Sequence, residues 1–285
     1  MKVNIALIQM GMSDNVEENR RTALAEIKNA AKKGANIVCF PELFTSTYFP
    51  QEENVDAKKY AETEDGKTIN ELKKAAKENK VVVISGSIYE TEGGKFYNTA
   101  FVINELGVVL GKYQKMHIPH DPQFYERNYF EEGKTGYTVF DTRYGKIAVL
   151  ICYDQWYPEA ARIVALKGAD IIFYPTAIGL VDGVEQSEGD WQNAWETVQR
   201  GHAIANNVIV AAINRVGREN RMKFWGGSFI SSQFGTILAK GSNKKEMVIA
   251  EVDLQLGKEI RDGWKFFRHR RPETYGKITE KQGSL

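Results

Sequence analysis

Cysteine, long apolar runs and an excess of either charge are what this chain of 285 residues has little of. Its two cysteines, Cys39 and Cys152, lie far apart, which excludes a disulfide framework and fits a reducing compartment. With 38 basic against 37 acidic residues the net charge is +1, and the two signs interleave along the helical segments. No bulk attraction to nucleic acid or to an anionic membrane follows, and the short cluster Arg268, Arg270 and Arg271 is too isolated to create one. No apolar run reaches membrane-spanning length. The N-terminus enters a strand pattern without a basic region, an apolar core or a cleavage site, so the expectation is a soluble, cytoplasmic protein. Neither GxGxxG nor GxxxxGK[ST] is present, which argues against a bound nucleotide. The four histidines, His117, His120, His202 and His269, do not pair at metal-ligand spacing with one another or with the cysteines. Only His117 with His120 offers even a weak pair, and no metal or other cofactor is expected.

What is present alternates. Val3–Met10 is an apolar strand, Val16–Lys33 repeats Leu24, Ile27 and Ala31 at helical spacing, and Ala35–Phe40 is a second apolar run ending in Pro41-Glu42. A helix from about Thr68 to Asn79 precedes Val81–Tyr89, read as one β-branched strand in which Gly86 marks a close backbone approach. Asn98–Ile103 and Val108–Lys115 flank a turn and read as a hairpin whose second arm ends in Lys115. Met116–Gly136 is irregular and rich in aromatics, and Ile178–Gly189 reads as a second long loop; such loops within a compact domain usually carry function. Strands follow at Tyr137–Phe140, Lys146–Ile151 and Asp170–Tyr174. A helix from about Asp190 to Ala205 then leads to strands at Val208–Asn214, Gly227–Ser231, Thr236–Lys240 and Glu246–Val252. Without a repeat or a low-complexity segment, this is one layered α/β domain with mixed sheets, spanning 1–285.

The most informative stretch is Tyr144–Arg162, YGKIAVLICYDQWYPEAAR. Ile147–Ile151 is a buried-strand run and Pro158-Glu159 suits a first helical turn, which puts Cys152 at a strand-to-helix junction. Backbone N–H groups point outward there, a setting that suits a nucleophile whose substrate develops negative charge on oxygen. On this stretch alone the plainer reading is a small core cysteine. Two other strand ends change the balance, because Glu42 and Lys115 each follow an apolar run as Cys152 does. A carboxylate beside a thiol can take its proton, and an ammonium can stabilise the thiolate and the tetrahedral oxyanion, so acyl transfer would need no metal. Strands distant in sequence need not be neighbours in space.

The segments FPELF, KMHIP and ICYDQWYPEAAR resemble, in order, the Glu, Lys and Cys signature motifs of the nitrilase superfamily of carbon–nitrogen hydrolases. FYPTAIG, RGHAIANNV and DGWKFFRHRRPETY extend the resemblance over nearly the whole chain. It implies a four-layer α-β-β-α sandwich, catalytic Glu42, Lys115 and Cys152, and a further active-site carboxylate, Glu126, within FYERNYF. The activity implied is hydrolysis of a linear amide or ureido group through a thioester, with a carbamoyl amine such as N-carbamoylputrescine as the favoured small-molecule substrate. Tyr48, Tyr153, Trp156, Thr176 and Ala177, beside these motifs, are the expected substrate-binding positions. In polyamine-forming relatives a Ser-Glu-Pro-like segment supplies a Glu for the distal ammonium. Here Leu180-Val181-Asp182-Gly183-Val184-Glu185 stands in its place, leaving Asp182, Glu185 and Asp121 as candidates.

Three readings compete. Within the superfamily stand an ω-amidase, a β-ureidopropionase-like enzyme, an aliphatic amidase or a nitrilase; a carboxylate-tailed substrate would need a basic residue in the pocket. Outside it stands a non-catalytic scaffold, against which intact Glu42, Lys115 and Cys152 count. The tail from about 258 to 285 mixes aromatics with arginines, a composition enriched at interfaces. In the superfamily the matching tail packs across subunits, so a homo-oligomer is expected.

Overall fold

The computed structural model describes residues 1–281; the last four positions of the expected tail lie outside the described residues. In chain order the strands are β1 Lys2–Gln9, β2 Ile37–Cys39, β3 Val82–Ile84, β4 Ile88–Glu92, β5 Lys95–Ile103, β6 Val109–Gln114, β7 Val139–Thr142 and β8 Gly145–Val149. They continue with β9 Ile171–Pro175, β10 Gly179–Val181, β11 Ile209–Ile213, β12 Val216–Glu219, β13 Met222–Trp225, β14 Phe229–Ser231, β15 Ile237–Lys240 and β16 Glu246–Asp253. The helices are α1 Val16–Lys32, α2 Lys67–Asn79, α3 Pro158–Leu166, α4 Trp191–Asn206 and α5 Leu254–Trp264.

Two mixed sheets result. The first runs β16-β1-β2-β3-β5-β4 with β6 on β5, and the second runs β15-β14-β11-β9-β8-β7. Their centres are parallel, β1-β2-β3 and β8-β9-β11, and their outer strands are antiparallel. The alternation of side chains along a strand decides the layering. Val3, Ile5 and Leu7 on β1, Ile37 and Cys39 on β2, and Val82 and Ile84 on β3 face the second sheet, where they meet Ile147, Val149 and Ile171. Ala6, Ile8, Val38 and Val83 point the other way, against Ala23 and Ile27 of α1 and Ile69 and Leu72 of α2. Ala160 and Val164 of α3 and Ala203 of α4 cover the far side of the second sheet. The layers are therefore helix, sheet, sheet, helix, the four-layer α-β-β-α sandwich that the motifs implied. Cys39 belongs to the core between the sheets, fully buried.

Two stretches fold differently from the pattern in the sequence. Val81–Tyr89 is not one strand: the chain leaves the ladder after Ile84 and resumes at Ile88. The break seats the next loop, since Ser87 Oγ accepts the Leu43 backbone N–H at 2.9 Å and Gly86 adopts φ +69° where its backbone meets the Pro41 carbonyl. Residues 178–189 are not all loop either. β10 pairs with a hairpin of β13 and β12 that carries no alternation strong enough to have been read, turning at Asn220 with φ +47°. This small sheet packs Val181, Met222 and Phe224 on an aromatic cluster of Tyr48, Phe49, Tyr89, Tyr129 and Phe130. The irregular segment after Lys115 is anchored there, with the Tyr129 ring 5.1 Å from Phe49 and the Phe130 ring 5.3 Å from Tyr89.

A Cβ at position 86 would lie 2.1 Å from the Pro41 oxygen, at a φ that L residues rarely adopt. Gly86→Ala is expected to cost at least about 2 kcal/mol, seen as a drop of several degrees in Tm. An unchanged Tm would show that the close approach constrains nothing.

Candidate active site

Three strand ends meet at the seam between the sheets. β2 and β6, from the first sheet, deliver Glu42 and Lys115, and β8, from the second, delivers Cys152. Glu42, Lys115 and Glu126 are fully or almost fully buried and form one ionic cluster. Lys115 Nζ donates to Glu42 Oε1 at 2.8 Å and to Glu126 Oε1 and Oε2 at 2.8 and 2.7 Å. The remaining contacts differ between the two carboxylates. Glu126 also accepts from the Tyr48 hydroxyl at 2.7 Å, which occupies it fully. Glu42 Oε1 takes a further bond from Asn98 Nδ2 at 2.8 Å, whereas its Oε2 has no partner among the described residues.

Two carboxylates around one ammonium leave the cluster with a net negative charge in a dry place. Burial raises the Glu126 pKa from an ordinary 4.5 to about 7, with the Lys115 ammonium opposing the rise and the Glu42 charge adding to it. Burial alone would lower Lys115, but Glu126 and Glu42 hold it above its ordinary value, so it stays charged. Burial, together with the charge of Glu42, pushes the Cys152 thiol well above its ordinary range, while Lys115 pulls the other way. The resting sulfur is therefore a thiol, and the nearby backbone of Ala177 opposes the rise only weakly. Cys152 itself has φ +44°, as the first residue of a short 3-10 turn, Cys152–Trp156, between β8 and α3. The strand-to-helix junction is as expected, with this extra turn inside it.

Sequence reasoning missed the residues that hold the Glu42 loop. Leu43, just after Glu42, is also left-handed, at φ +48°, a strain of order 1–2 kcal/mol that its surroundings must impose. The fully buried guanidinium of Arg215 does so. Its Nη2 donates to the carbonyls of Glu42 at 2.7 Å and Leu43 at 3.0 Å, and its Nη1 to both oxygens of Glu219 at 2.8 and 3.0 Å. Glu219 in turn accepts the Tyr48 backbone N–H at 2.6 Å. An Arg four positions before a Glu in polar sequence reads as a solvated pair, and nothing local distinguishes it.

A cavity of about 550 Å³ opens above Cys152 and Glu126. Phe124, Trp156, Ile178, Val181, Val184 and Trp191 wall it, together with Tyr153 and Gln155. Its charged lining, beyond Glu126, consists of Asp121 and Glu188, both exposed at the rim; among the described residues no Lys, Arg or His lines it. Of the expected substrate positions, Tyr153, Trp156 and Asp121 line the cavity. Tyr48 and Ala177 serve Glu126 and Cys152, and Thr176 Oγ1 donates to Gln155 Oε1 at 3.3 Å. Asp182 and Glu185 are not in the lining, and the Asp182 carboxylate is engaged by Arg218. Glu188, passed over in the sequence, stands in that region instead, oriented by the Trp191 indole N–H. His117 and His120 do not converge: His117 Nδ1 is bonded to Asp154, and the His120 ring stands against Tyr125. One three-carboxylate cluster exists among the described residues, Glu64, Glu90 and Glu92, and the Lys112 ammonium sits in it at 3.1, 2.7 and 2.9 Å.

A family profile described as carbon-nitrogen hydrolase matches residues 4–262. The chain is similar to an N-carbamoylputrescine amidase from Oryza sativa subsp. japonica, 42% identical over 96% of this chain and 93% of that one. It is also similar to a citrullinase from Francisella tularensis subsp. tularensis, 37% identical over 98% of this chain and 99% of that one. Its fold matches the crystal structure of a carbon-nitrogen hydrolase from Helicobacter pylori G27 with a TM-score of 0.94 at 38% identity, over 99% of each chain.

Removing Lys115 would leave two buried carboxylates without their cation. Lys115→Met is expected to lose about 3–5 kcal/mol near neutral pH. The sign with pH follows from proton linkage. Carboxyls whose folded pKa lies above the unfolded value, as Glu126 already does, bind more protons when folded, so stability falls as pH rises from about 4.5 through the folded pKa. Without Lys115 that window widens. Urea unfolding should therefore show a smaller deficit against the parent at pH 5 than at pH 8; a deficit independent of pH would sink this account.

Proposed function

The chain belongs to the carbon-nitrogen hydrolase family, and from that premise we propose that this amide and ureido hydrolase acts on N-carbamoylputrescine. The products are putrescine, carbon dioxide and ammonia. The observation that carries the substrate reading is the charge pattern of the cavity: apolar walls above Cys152, with acids and no base among the residues that line it. An aliphatic chain fits the walls and its terminal ammonium meets Asp121 or Glu188 at the rim. A carboxylate-tailed ureido substrate finds only repulsion, although the citrullinase relative keeps that alternative in view.

The catalytic roles follow from which groups are free. Glu42 Oε2 is the carboxylate oxygen without a partner, so Glu42 takes the Cys152 proton while the sulfur attacks the carbonyl carbon. Lys115 and the Tyr153 backbone N–H stabilise the oxyanion. The proton passes from Glu42 to the departing nitrogen, the C–N bond breaks, and a thioester remains on Cys152. Water deprotonated by Glu42 then attacks the carbamoyl carbon, the C–S bond breaks, Glu42 returns the proton to the sulfur, and the released carbamic acid falls apart to carbon dioxide and ammonia. Glu126 keeps Lys115 charged and in place, a task for which the two hydrogen bonds it accepts from Nζ suit it.

A homo-oligomer is part of the same proposal. Beside α3 and α4 a cavity of about 750 Å³ runs between Arg162, Leu166, Phe266 and Ile278, and Leu166 and Ile278 are exposed. Arg162 Nη1 is buried there with no partner among the described residues, its guanidinium over the Phe267 ring. A second copy of the chain would cover the apolar surface and supply the missing acceptor. Light scattering at micromolar concentration should give a dimer or larger; a monomer refutes this part alone.

The substrate reading is tested by ammonia release over a panel of N-carbamoylputrescine, carboxylate-tailed ureido compounds, ω-amides and nitriles. The cationic carbamoyl amine should lead, and Cys152→Ala should abolish its turnover in a folded protein. Since both rim acids are exposed, Glu188→Gln or Asp121→Asn should raise KM for that substrate by roughly 3- to 10-fold and leave a neutral amide unaffected. A preference for carboxylate-tailed substrates would overturn the assignment of N-carbamoylputrescine.

A further inference from the structure

Asp154, two residues beyond Cys152, is fully buried and has no part in the cavity or in the cluster around Lys115. No lysine or arginine pairs with it among the described ion pairs; its charge is met by four hydrogen bonds. Oδ2 accepts the Ile151 backbone N–H at 2.8 Å and the Tyr113 hydroxyl at 2.8 Å. Oδ1 accepts the His117 backbone N–H at 3.1 Å and His117 Nδ1 at 2.7 Å, so that nitrogen carries the ring proton, and the His117 ring stacks on Tyr157 at 3.6 Å. All four partners are donors, and only a carboxylate can accept in every one of those directions. The partners also have a pattern in the chain. Ile151 immediately precedes Cys152, while Tyr113 and His117 flank Lys115 two residues to either side. Tyr113 belongs to β6 in the first sheet, and Asp154 follows β8 in the second. A single side chain thus crosses the seam and fixes the backbone beside both the nucleophile and the ammonium.

We propose that Asp154 is the positioning residue that sets the Lys115 ammonium against the Cys152 sulfur, so that rate rather than substrate affinity depends on it. The proposal rests on the acyl-transfer roles given above to Cys152 and Lys115. A neutral side chain would avoid the cost of burying a carboxylate, but it would leave some of these four donors unpaired in a dry site. What a carboxylate adds is a fixed separation between two chain segments that no backbone ladder joins, at a residue held in the left-handed region. Small displacements of reacting groups cost rate steeply.

The test uses the full-length enzyme with N-carbamoylputrescine, and in parallel the rate at which iodoacetamide alkylates Cys152. Tyr113→Phe keeps the ring and removes one donor on the lysine side; Asp154→Asn keeps the shape and removes acceptor capacity. We expect kcat to fall roughly 10-fold in the first and roughly 100-fold in the second, with KM within about 2-fold of the parent. The double variant should be no slower than Asp154→Asn, because the tyrosine acts through the carboxylate. Alkylation should slow in the same order. Raised KM at full kcat, losses that multiply in the double variant, or Tyr113→Phe at parental kcat would each overturn the proposal. If Asp154→Asn does not fold, Tyr113→Phe and His117→Gln decide it by the same split between kcat and KM. Should the parent release no ammonia from any substrate, the hydrolase reading fails, and the alkylation rates alone decide whether the brace positions the thiol.

Discussion

One ammonium held between two buried carboxylates governs the rest of the structure. A Lys buried alone would shed its proton, and a Glu buried alone would keep one; placed together, each charge justifies the other, and the surplus carboxylate makes the cluster receptive to a proton. Here the surplus is resolved by geometry. Glu126 spends both oxygens on Lys115 and Tyr48, and Glu42 keeps one oxygen free. A thiol raised by burial would be a poor nucleophile in isolation; in the proposed mechanism it gives up its proton, as it attacks, to a carboxylate with an open lone pair.

Such a cluster has to be assembled from segments with no reason of their own to meet. Glu42 and Lys115 come from the first sheet and Cys152 from the second, so sheet hydrogen bonding does not fix the distance of Cys152 from either of them. Two buried polar braces make up for that. Arg215 with Glu219 clamps the loop that carries Glu42 and Tyr48, and Asp154 ties the turn at Cys152 to the end of β6. Both bear on left-handed residues, Leu43 and Cys152, whose conformations would relax if the braces were removed.

The layering and the three reactive strand ends were legible in the sequence because both are written in local pattern. Apolar runs mark β1–β3 and β8, and Glu42, Lys115 and Cys152 each follow one. Neither brace was legible. Asp154, Arg215 and Glu219 are polar residues in short or irregular segments, where charge ordinarily signals solvent, and their burial is a property of tertiary packing alone. The strand break at Gly86 was missed for a related reason: apolar residues 81–84 before it and Ile88 and Tyr89 after it continue the pattern, and only the carbonyl of Pro41, distant in sequence, demands the interruption. At the rim, Asp182 was one of three candidate acids with Asp121 and Glu185, yet Arg218 engages it across the small sheet. A partner on a hairpin that the pattern did not reveal could not be anticipated.

This division bears on how such a site comes to differ in what it accepts. Its floor is built of fully buried charges whose partners form a closed set, so a substitution there leaves an unpaired charge in a dry place and costs several kcal/mol. The rim is built of exposed residues on the segment from β10 to α4, where Val184 and Glu188 face the cavity with few further obligations. Changes at such positions cost little stability but alter the charge and width that a substrate tail meets. Bond cleavage and tail recognition are therefore separable: the floor fixes what kind of bond is broken, and the rim can be rewritten without disturbing it. On the proposed reading it is the rim acids, Asp121 and Glu188, rather than overall similarity, that favour a cationic tail.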